Sequence, residues 1–314
     1  MVKLSGKKVI VTGGAGFIGS NLVESISREN EVVVIDNMLI GKERNLRRSM
    51  QTGNVKLFKV DTRDIKVVDF KPDIIFHLGM PSSTFMFRED NYRIAEVLEG
   101  AISVLRFAYR QGAKVILTST SSVYNGNPIP HKESQVPRVT DFYTESKVFI
   151  ERLAELYNKV YGIDTSVLRL FSVYGPHEEG KGSYANIISQ FMWSMKKNEP
   201  PLIYGDGKQT RDFIYISDVV DALIAATKIK GFGLFNVGTG KNYSLNEIVR
   251  LLEEKMKTGI KPRYLRNEIP NYVNDTKADT SKSRLKLGFK AKIGIEEGME
   301  RLLKYYNENL WDGV

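Results

Sequence analysis

The chain of 314 residues contains no cysteine. Disulfides and thiol nucleophiles are therefore excluded. Its three histidines, His77, His131 and His177, lie far apart without zinc-like spacing, so no metal site is expected. No apolar run approaches the roughly 18 residues that a membrane-spanning helix needs. The opening MVKLSGKKVIVTGG passes straight into a strand and a glycine loop, which leaves no apolar run for a signal peptide. These absences point to a cytoplasmic protein with no membrane partner. Repeats, low-complexity tracts and long linkers are missing too. What is present is ordinary for a globular chain: 42% hydrophobic and 26% charged residues. The length suits one large domain or two interleaved ones.

The net charge is +9, but Lys and Arg are interspersed with acids, as in ERLAELYNKVYG. The longest basic cluster, GKERNLRR, is short. Dispersed surface charge is the favoured reading, and attraction of an anionic small ligand is the second. No nucleic-acid partner is expected.

Short apolar runs alternate with helical patterns through the first half. KKVIVTG, EVVVID, NVKLFKVD, DIIFHLG, KVILTST and TSVLRLF read as strands. FIGSNLVESISREN reads as a helix that turns Phe17, Leu22 and Ile26 to a sheet. NYRIAEVLEGAISVLRFAYRQG is a second helix, and Asp141 to Tyr161 a third, stopped by Gly162. Nearly continuous apolar strands between helices predict a parallel sheet buried on both faces. From Gly175 to Arg211 the chain is rich in glycine, proline and polar turns around one helix. YISDVVDALIAATKI and GLFNVGTG then read as helix and strand, and a terminal helix starts at about Ile295. The expected fold is an α/β, Rossmann-type doubly wound sheet with a smaller substrate lobe. Residues 1–174 plus about 212–258 would form the first part. About 175–211 plus 259–314 would form the second.

VTGGAGFIGS places Gly13, Gly16 and Gly19 after a strand and at the start of a helix. Glycines allow a tight turn and close backbone approach to a pyrophosphate. The helix start adds free N–H groups and the positive end of the dipole. Such a motif is weak alone. Here Asp36 closes the next strand, 17 residues after Gly19. A carboxylate there accepts from the adenosine ribose hydroxyls and repels a 2′-phosphate, which favours NAD over NADP. Lys42 and Arg44 follow closely and argue the other way.

In DFYTESKVFIERLAELY, Tyr143 stands four residues before Lys147. Residues at that spacing share a helix face. An ammonium beside a phenol stabilises phenolate, and the positive nicotinamide ring of bound NAD would lower the tyrosine pKa further, so Tyr143 is expected then to take a proton from a sugar hydroxyl near neutral pH. Lys147 could also hold the nicotinamide ribose. Upstream, LTSTSSVY puts hydroxyls at the carboxyl edge of the sheet, where ligands bind.

Together GGAGFIG, Asp36, TSTSSVY, YTESK, RLFSVYGP, DGKQTRDFIYISDVVDA and FNVGTG resemble the extended short-chain dehydrogenase/reductases, in their nucleotide-sugar epimerase/dehydratase branch. The resemblance covers most of the chain and is broadest toward UDP-glucose 4-epimerases. YGPHEEGKGSYA and NYVNDTKAD look more like ADP-heptose 6-epimerases. The resemblance implies a catalytic set of Thr120, Tyr143 and Lys147. It implies NAD contacts from Gly13, Gly16, Phe17, Ile18, Gly19, Asp36, Asn37, Asp61, Thr62, Leu78, Tyr143 and Lys147. It implies substrate contacts from Ser82, Thr120, Tyr143, Ser172, Lys181, Tyr204 and Arg211. Asp61 and Thr62 match the adenine position, Arg211 an arginine on the diphosphate, and Tyr204 a ring near the base. A homodimer formed through two helices, one of them carrying Tyr143, is also implied.

Departures bear on the reaction. In the 4,6-dehydratases an Asp-Glu pair follows the catalytic Thr, and UDP-glucuronate decarboxylases usually carry Glu at the second position. Here the residues are Ser121 and Ser122. The usual Asn of RxFN is Ser172, and Arg266 is out of register with the second diphosphate arginine. The reading is a nucleotide-sugar 4-epimerase with bound NAD. Its rivals are an ADP-heptose-type 6-epimerase, a UDP-uronate 4-epimerase, a simple NADP reductase, and a non-catalytic nucleotide-sensing or RNA-associated protein. Retention of Thr120, Tyr143 and Lys147 argues against the last.

Overall fold

The protein is described by a computed structural model covering residues 3–309. Strands β1 (Lys8–Thr12), β2 (Glu31–Ile35), β3 (Val55–Phe58), β4 (Ile74–His77), β5 (Lys114–Thr120), β6 (Thr165–Leu170) and β11 (Phe232–Val237) form one sheet. Its order is β11-β6-β5-β4-β1-β2-β3, and every pairing is parallel. The order reverses beside β1, which creates the crevice where such sheets take ligands.

Alternation along the strands explains the two-sided burial. Val9, Val11, Val32 and Val34 face one cluster. Ile10, Val33, Ile35 and Ile75 face the other. The first face is covered by α1 (Phe17–Ile26) and α7 (Ile216–Ala226), through Leu22, Val23, Ile26 and Val219. Helices α4 (Arg93–Gln111) and α5 (Phe142–Tyr161) cover the second, through Val104, Leu105, Ala108 and Ala154. Phe17, Leu22 and Ile26 are all buried, as their spacing predicts. Helix α5 begins where Asp141 Oδ1 accepts from the Thr144 N–H at 2.8 Å. It ends at Gly162, whose φ of 71° is left-handed. Asp141 is thus the cap and not the first helical residue.

Three helices were not expected. Helix α2 (Arg47–Met50) is a single turn. Helix α3 (Thr84–Glu89) starts at Ser83, whose Oγ accepts from the Phe85 N–H. Helix α8 (Leu245–Met256) carries a complete capping box, Ser244 with Glu247. The S-x-x-E signal for α8 stands in the sequence.

The remaining elements are α6 (Ile187–Lys196), α9 (Ile295–Glu308) and the short strands β7 (Ser172–Tyr174), β8 (Leu202–Tyr204), β9 (Thr210–Arg211), β10 (Phe213–Tyr215), β12 (Tyr243–Ser244) and β13 (Arg263–Leu265). The parallel pair β8 and β13 ties the tail to the Gly175–Arg211 stretch. Phe191, Met192, Ile203, Met299 and Leu302 belong to the same apolar cluster as β1 and β2. The smaller part therefore shares the core of the sheet and has no separate one. No described helix is long and apolar enough to cross a membrane.

Candidate active site

A cleft of about 520 Å³ opens over the carboxyl ends of β1, β2, β4 and β5. Of the expected site residues, the sheet brings Gly13, Gly16, Phe17, Ile18, Gly19, Asp36, Asn37, Asp61, Thr62, Leu78, Ser82, Thr120, Tyr143, Lys147, Ser172, Lys181 and Arg211 to its walls. Tyr204 is not among them. It stands 40% exposed beside a separate cavity of about 250 Å³ lined also by Gln209 and Tyr272.

At one end the chain is shaped for a dinucleotide. Gly13 has φ +67°, and a Cβ on it would lie 2.6 Å from Gly79 Cα. A Cβ on Gly19 would lie 2.2 Å from the Gly13 carbonyl oxygen. Space requires both glycines, and conformation requires Gly13 as well. Gly16 caps α1 without a side-chain hydrogen bond, and the first turn carries no acid. Its free N–H groups and dipole end suit a pyrophosphate. Asp36 is 7% exposed, and burial raises its pKa. Its carboxylate accepts from the N–H groups of Ala15 at 2.9 Å and Met38 at 2.8 Å. Each oxygen keeps a second lone pair for ribose hydroxyls. Asn37 donates to Asp61 Oδ2 at 3.0 Å, and Asp61 also holds Arg63 at 2.7 Å, so the adenine-side residues form one cluster. Lys42 and Arg44 do not line the cleft. The Arg44 charge acts on His177 and Glu179 instead. These residues fit NAD without a 2′-phosphate.

At the other end, Thr120 closes β5 while Tyr143 and Lys147 sit on the first turns of α5. All three are buried. The Tyr143 ring lies 5.6 Å from that of Phe87. Lys147 Nζ lies 5.7 Å from the Tyr143 ring centre and contacts Met80 Sδ at 3.6 Å. The lowering expected from Lys147 alone does not outweigh burial at Tyr143. Burial pushes its hydroxyl up to about 12, against a hydrogen bond with Thr120 that pulls it down. Burial also pushes Lys147 down to about 7, against the Glu151 carboxylate, which raises it. Desolvation is the largest cause at both groups, because water is excluded from each. Thr120 Oγ1 has local partners too, since it accepts from the Ser122 N–H at 3.2 Å.

Three residues are partly committed elsewhere. Lys181 Nζ pairs with Glu178 Oε1 at 3.2 Å, and Glu178 is fully buried. Arg211 donates to the carbonyls of Thr210 and Asn274, each at 2.9 Å, and to that of Val273. Its guanidinium also lies 5.4 Å from the Tyr272 ring. Tyr272 also hydrogen-bonds this guanidinium, so few of its five N–H donors remain for a diphosphate. Arg266 is highly exposed and pairs with Glu268 at 3.6 Å.

Sequence reasoning missed several groups. Met80, Asn186 and Gln190 line the cleft from loops and a helix whose approach only the fold reveals. It also missed a buried network behind Thr120. There Glu151 takes Arg169 at 2.8 and 2.6 Å. A signal was present: an arginine inside the otherwise apolar strand TSVLRLF demands a buried partner.

Comparison with known proteins agrees with this geometry. The profile of the NAD dependent epimerase/dehydratase family matches residues 9–238. UDP-glucuronic acid decarboxylase 1 of Arabidopsis thaliana is 32% identical over 318 residues, covering 96% of this chain and 70% of the plant protein. The structure of UDP-glucose 4-epimerase from Thermotoga maritima with UDP-glucose superposes with TM-score 0.90 at 30% identity, covering 96% of this chain and 99% of that one. The UDP-N-acetylglucosamine 4-epimerase of Methanobrevibacter ruminantium, in complex with UDP-N-acetylmuramic acid, gives TM-score 0.92 at 30% identity, covering 97% and 99%.

Proposed function

The chain belongs to the NAD dependent epimerase/dehydratase family, and from that premise we propose that it is a nucleotide-sugar 4-epimerase, with UDP-glucose and UDP-galactose as its substrates. One observation carries the choice of reaction. Among the described residues lining the cleft, the only carboxylates are Asp36, Asp61 and Glu96. Asp36 and Asp61 belong to the adenosine end. Glu96 sits on α4 one turn before Gly100, which packs on Thr62, and it pairs with Arg93 at 3.6 Å. Beside Thr120 stand Ser121 and Ser122, which cannot protonate a leaving hydroxyl.

Epimerisation at C4 needs one acid/base and no leaving group. Bound NAD supplies reversible hydride acceptance at the sugar carbon. Tyr143 takes the proton of the 4-hydroxyl and returns it to the 4-keto sugar after the sugar has turned over. Thr120 aligns the reacting oxygen with the Tyr143 hydroxyl. Lys147, when protonated, stabilises the phenolate that forms. Phe87, Met80 and the walls of the cleft exclude water from that exchange.

The decarboxylase relative supports a second reading, a UDP-uronate as substrate. Cation supply argues against it. Lys181 is tied to Glu178, and Arg211 spends three donors on carbonyls. The same tie argues against Lys181 as the acid/base of a 6-epimerase. For the wider organisation, we propose that residues 175–211 and 259–314 hold the nucleotide sugar while the rest holds NAD. We also propose a homodimer formed through α4 and α5, where Tyr109, Leu156, Val160 and Tyr161 are exposed.

The test is a panel of UDP-, GDP-, dTDP- and ADP-sugars incubated without added cofactor and followed by NMR. Interconversion of UDP-glucose and UDP-galactose is expected. A UDP-pentose from UDP-glucuronate, or conversion of an ADP-heptose alone, would overturn the assignment.

A further inference from the structure

Behind the cleft lies a charged cluster that the proposed reaction does not use. Glu151 and Arg169 are 5% and 2% exposed and form a two-pronged ion pair. The Ser119 hydroxyl donates to Glu151 Oε1 at 2.5 Å. Arg169 Nη1 donates to the Tyr124 hydroxyl at 2.8 Å, and that hydroxyl donates to Asn236 Oδ1 at 2.7 Å. The Tyr124 ring stacks on His131 at 4.8 Å.

Stability alone does not account for such a cluster. Exchanging a buried ion pair for apolar side chains of similar volume is often neutral or stabilising. Its placement supplies the reason. Ser119 immediately precedes Thr120, and Tyr124 ends the turn of residues 121–124 that Thr120 caps. Tyr143, Lys147 and Glu151 follow one another at four-residue intervals on one face of α5. The cluster thus grips the chain on both sides of Thr120, at the end of β5 and in the turn that follows, and grips α5 one turn below Lys147.

We propose that Glu151, held by Arg169, is a positioning residue that fixes the Tyr143–Lys147 face of α5 against Thr120 and presents its carboxylate one turn below Lys147. The proposal rests on the Tyr143/Lys147 reading of the site. The groups that face Lys147 are Tyr143 and Glu151 on its own helix, His77 on β4 and the Met80 thioether. His77 donates no charge, because burial holds it down to about 3. Among the described residues, Glu151 is therefore the one carboxylate that acts on Lys147. It is faced in turn by Ser119 on β5, Arg169 on β6 and Tyr124.

The test is ¹⁵N NMR titration of the Lys147 ammonium in the purified protein with its cofactor, assigned by its loss in Lys147→Met. In Glu151→Gln, Lys147 should titrate about one pH unit lower, the low end for loss of a nearby opposite charge that is shared with a partner. In Arg169→Met, Glu151 is released from its partner, and Lys147 should titrate higher than in the wild type. The double variant Glu151→Gln/Arg169→Met leaves no lone buried charge to threaten folding, and its value should fall between wild type and Glu151→Gln. A merely structural role predicts the same direction in both single variants, because loosening admits water to Lys147 in each. That result, or an unchanged Lys147 in Glu151→Gln and in the double variant, would overturn the proposal. The alkaline limb of kcat for UDP-glucose should follow the same order, with KM changed less than about threefold. The NMR order can hold in an enzyme that does not epimerise, so a failure of the proposed reaction is distinguishable from a failure of this inference.

Discussion

Replacing Lys181 by alanine tests whether this residue is a tie or a catalyst. Its Nζ stands 3.2 Å from Glu178 Oε1, and the Glu178 side chain has no exposed surface. Glu178 also accepts from the Asn186 N–H and the Ser189 hydroxyl, each at 2.7 Å. Lys181→Ala leaves that carboxylate two hydrogen bonds and no cation. Breaking a buried pair from one side costs about 3–5 kcal/mol. The Lys181 side chain is 18% exposed, so water reaches the gap and the lower end, about 3 kcal/mol, is expected. In a chain of this size that lowers Tm by roughly 6 °C. Glu178→Gln combined with Lys181→Ala removes the lone charge and should recover most of the loss in a double-mutant cycle. The assay is thermal unfolding of the four proteins beside UDP-glucose kinetics. Lys181→Ala should raise KM, because the loop at 180–185 loses its tie to Glu178, and should leave kcat within about tenfold. An unchanged Tm together with abolished turnover would refute the tie and revive Lys181 as an acid/base.

The remaining expectations concern the cleft itself. Tyr143→Phe should keep cofactor and sugar binding while turnover falls at least about 100-fold, the scale of lost acid/base catalysis; near-normal epimerisation would name another base. Denatured protein should release NAD, and Asp36→Ala should bind it more weakly by calorimetry; release of mainly NADP would contradict the Asp36 reading. No 4-keto-6-deoxy sugar should accumulate from dTDP- or GDP-hexoses, because Ser121 and Ser122 cannot deliver acid to a leaving hydroxyl. Lys147→Met should raise Tm at pH 7. Between about 7 and the ordinary lysine value the unfolded chain binds more protons at Lys147 than the fold does, so the native protein gains stability as pH rises. The advantage of Lys147→Met should therefore shrink across that window, and a constant advantage would show that Lys147 is not depressed.

Periodicity made the sheet and its two faces legible. Val9 and Ile10 differ by one residue and point into different clusters, which is what a doubly covered strand requires. The glycine loop, Asp36 and the Tyr143/Lys147 spacing were legible because each is local in sequence. The place of Tyr204 outside that cleft was not legible. It lies on a short strand whose partner, Arg263–Leu265, is about sixty residues away, and pattern alone does not orient such a strand. The burial of Tyr143 was not legible for a related reason. Four-residue spacing reveals the ammonium, but burial comes from Phe87 and from α3, which no periodicity announced. The commitments of Lys181 and Arg211 depend on Glu178 and on the carbonyls at 273 and 274, and only the folded chain brings these together.

Burial also explains why a lysine, and not an acid, stands beside the phenol. Desolvation opposes every charge at this end of the cleft, raising Tyr143 to about 12 and lowering Lys147 to about 7. A phenolate and an ammonium formed together offset much of that cost, since each is the other's counter-charge across the 5.7 Å that separates ring and nitrogen. A carboxylate at the same place would add to it. The cleft accordingly places neutral Ser121 and Ser122 beside Thr120. An acid at either serine would oppose phenolate formation while offering a proton to any departing oxygen. That combination suits elimination. Neutral hydroxyls there suit a reaction in which a single sugar hydroxyl loses and regains its proton and nothing leaves the ring.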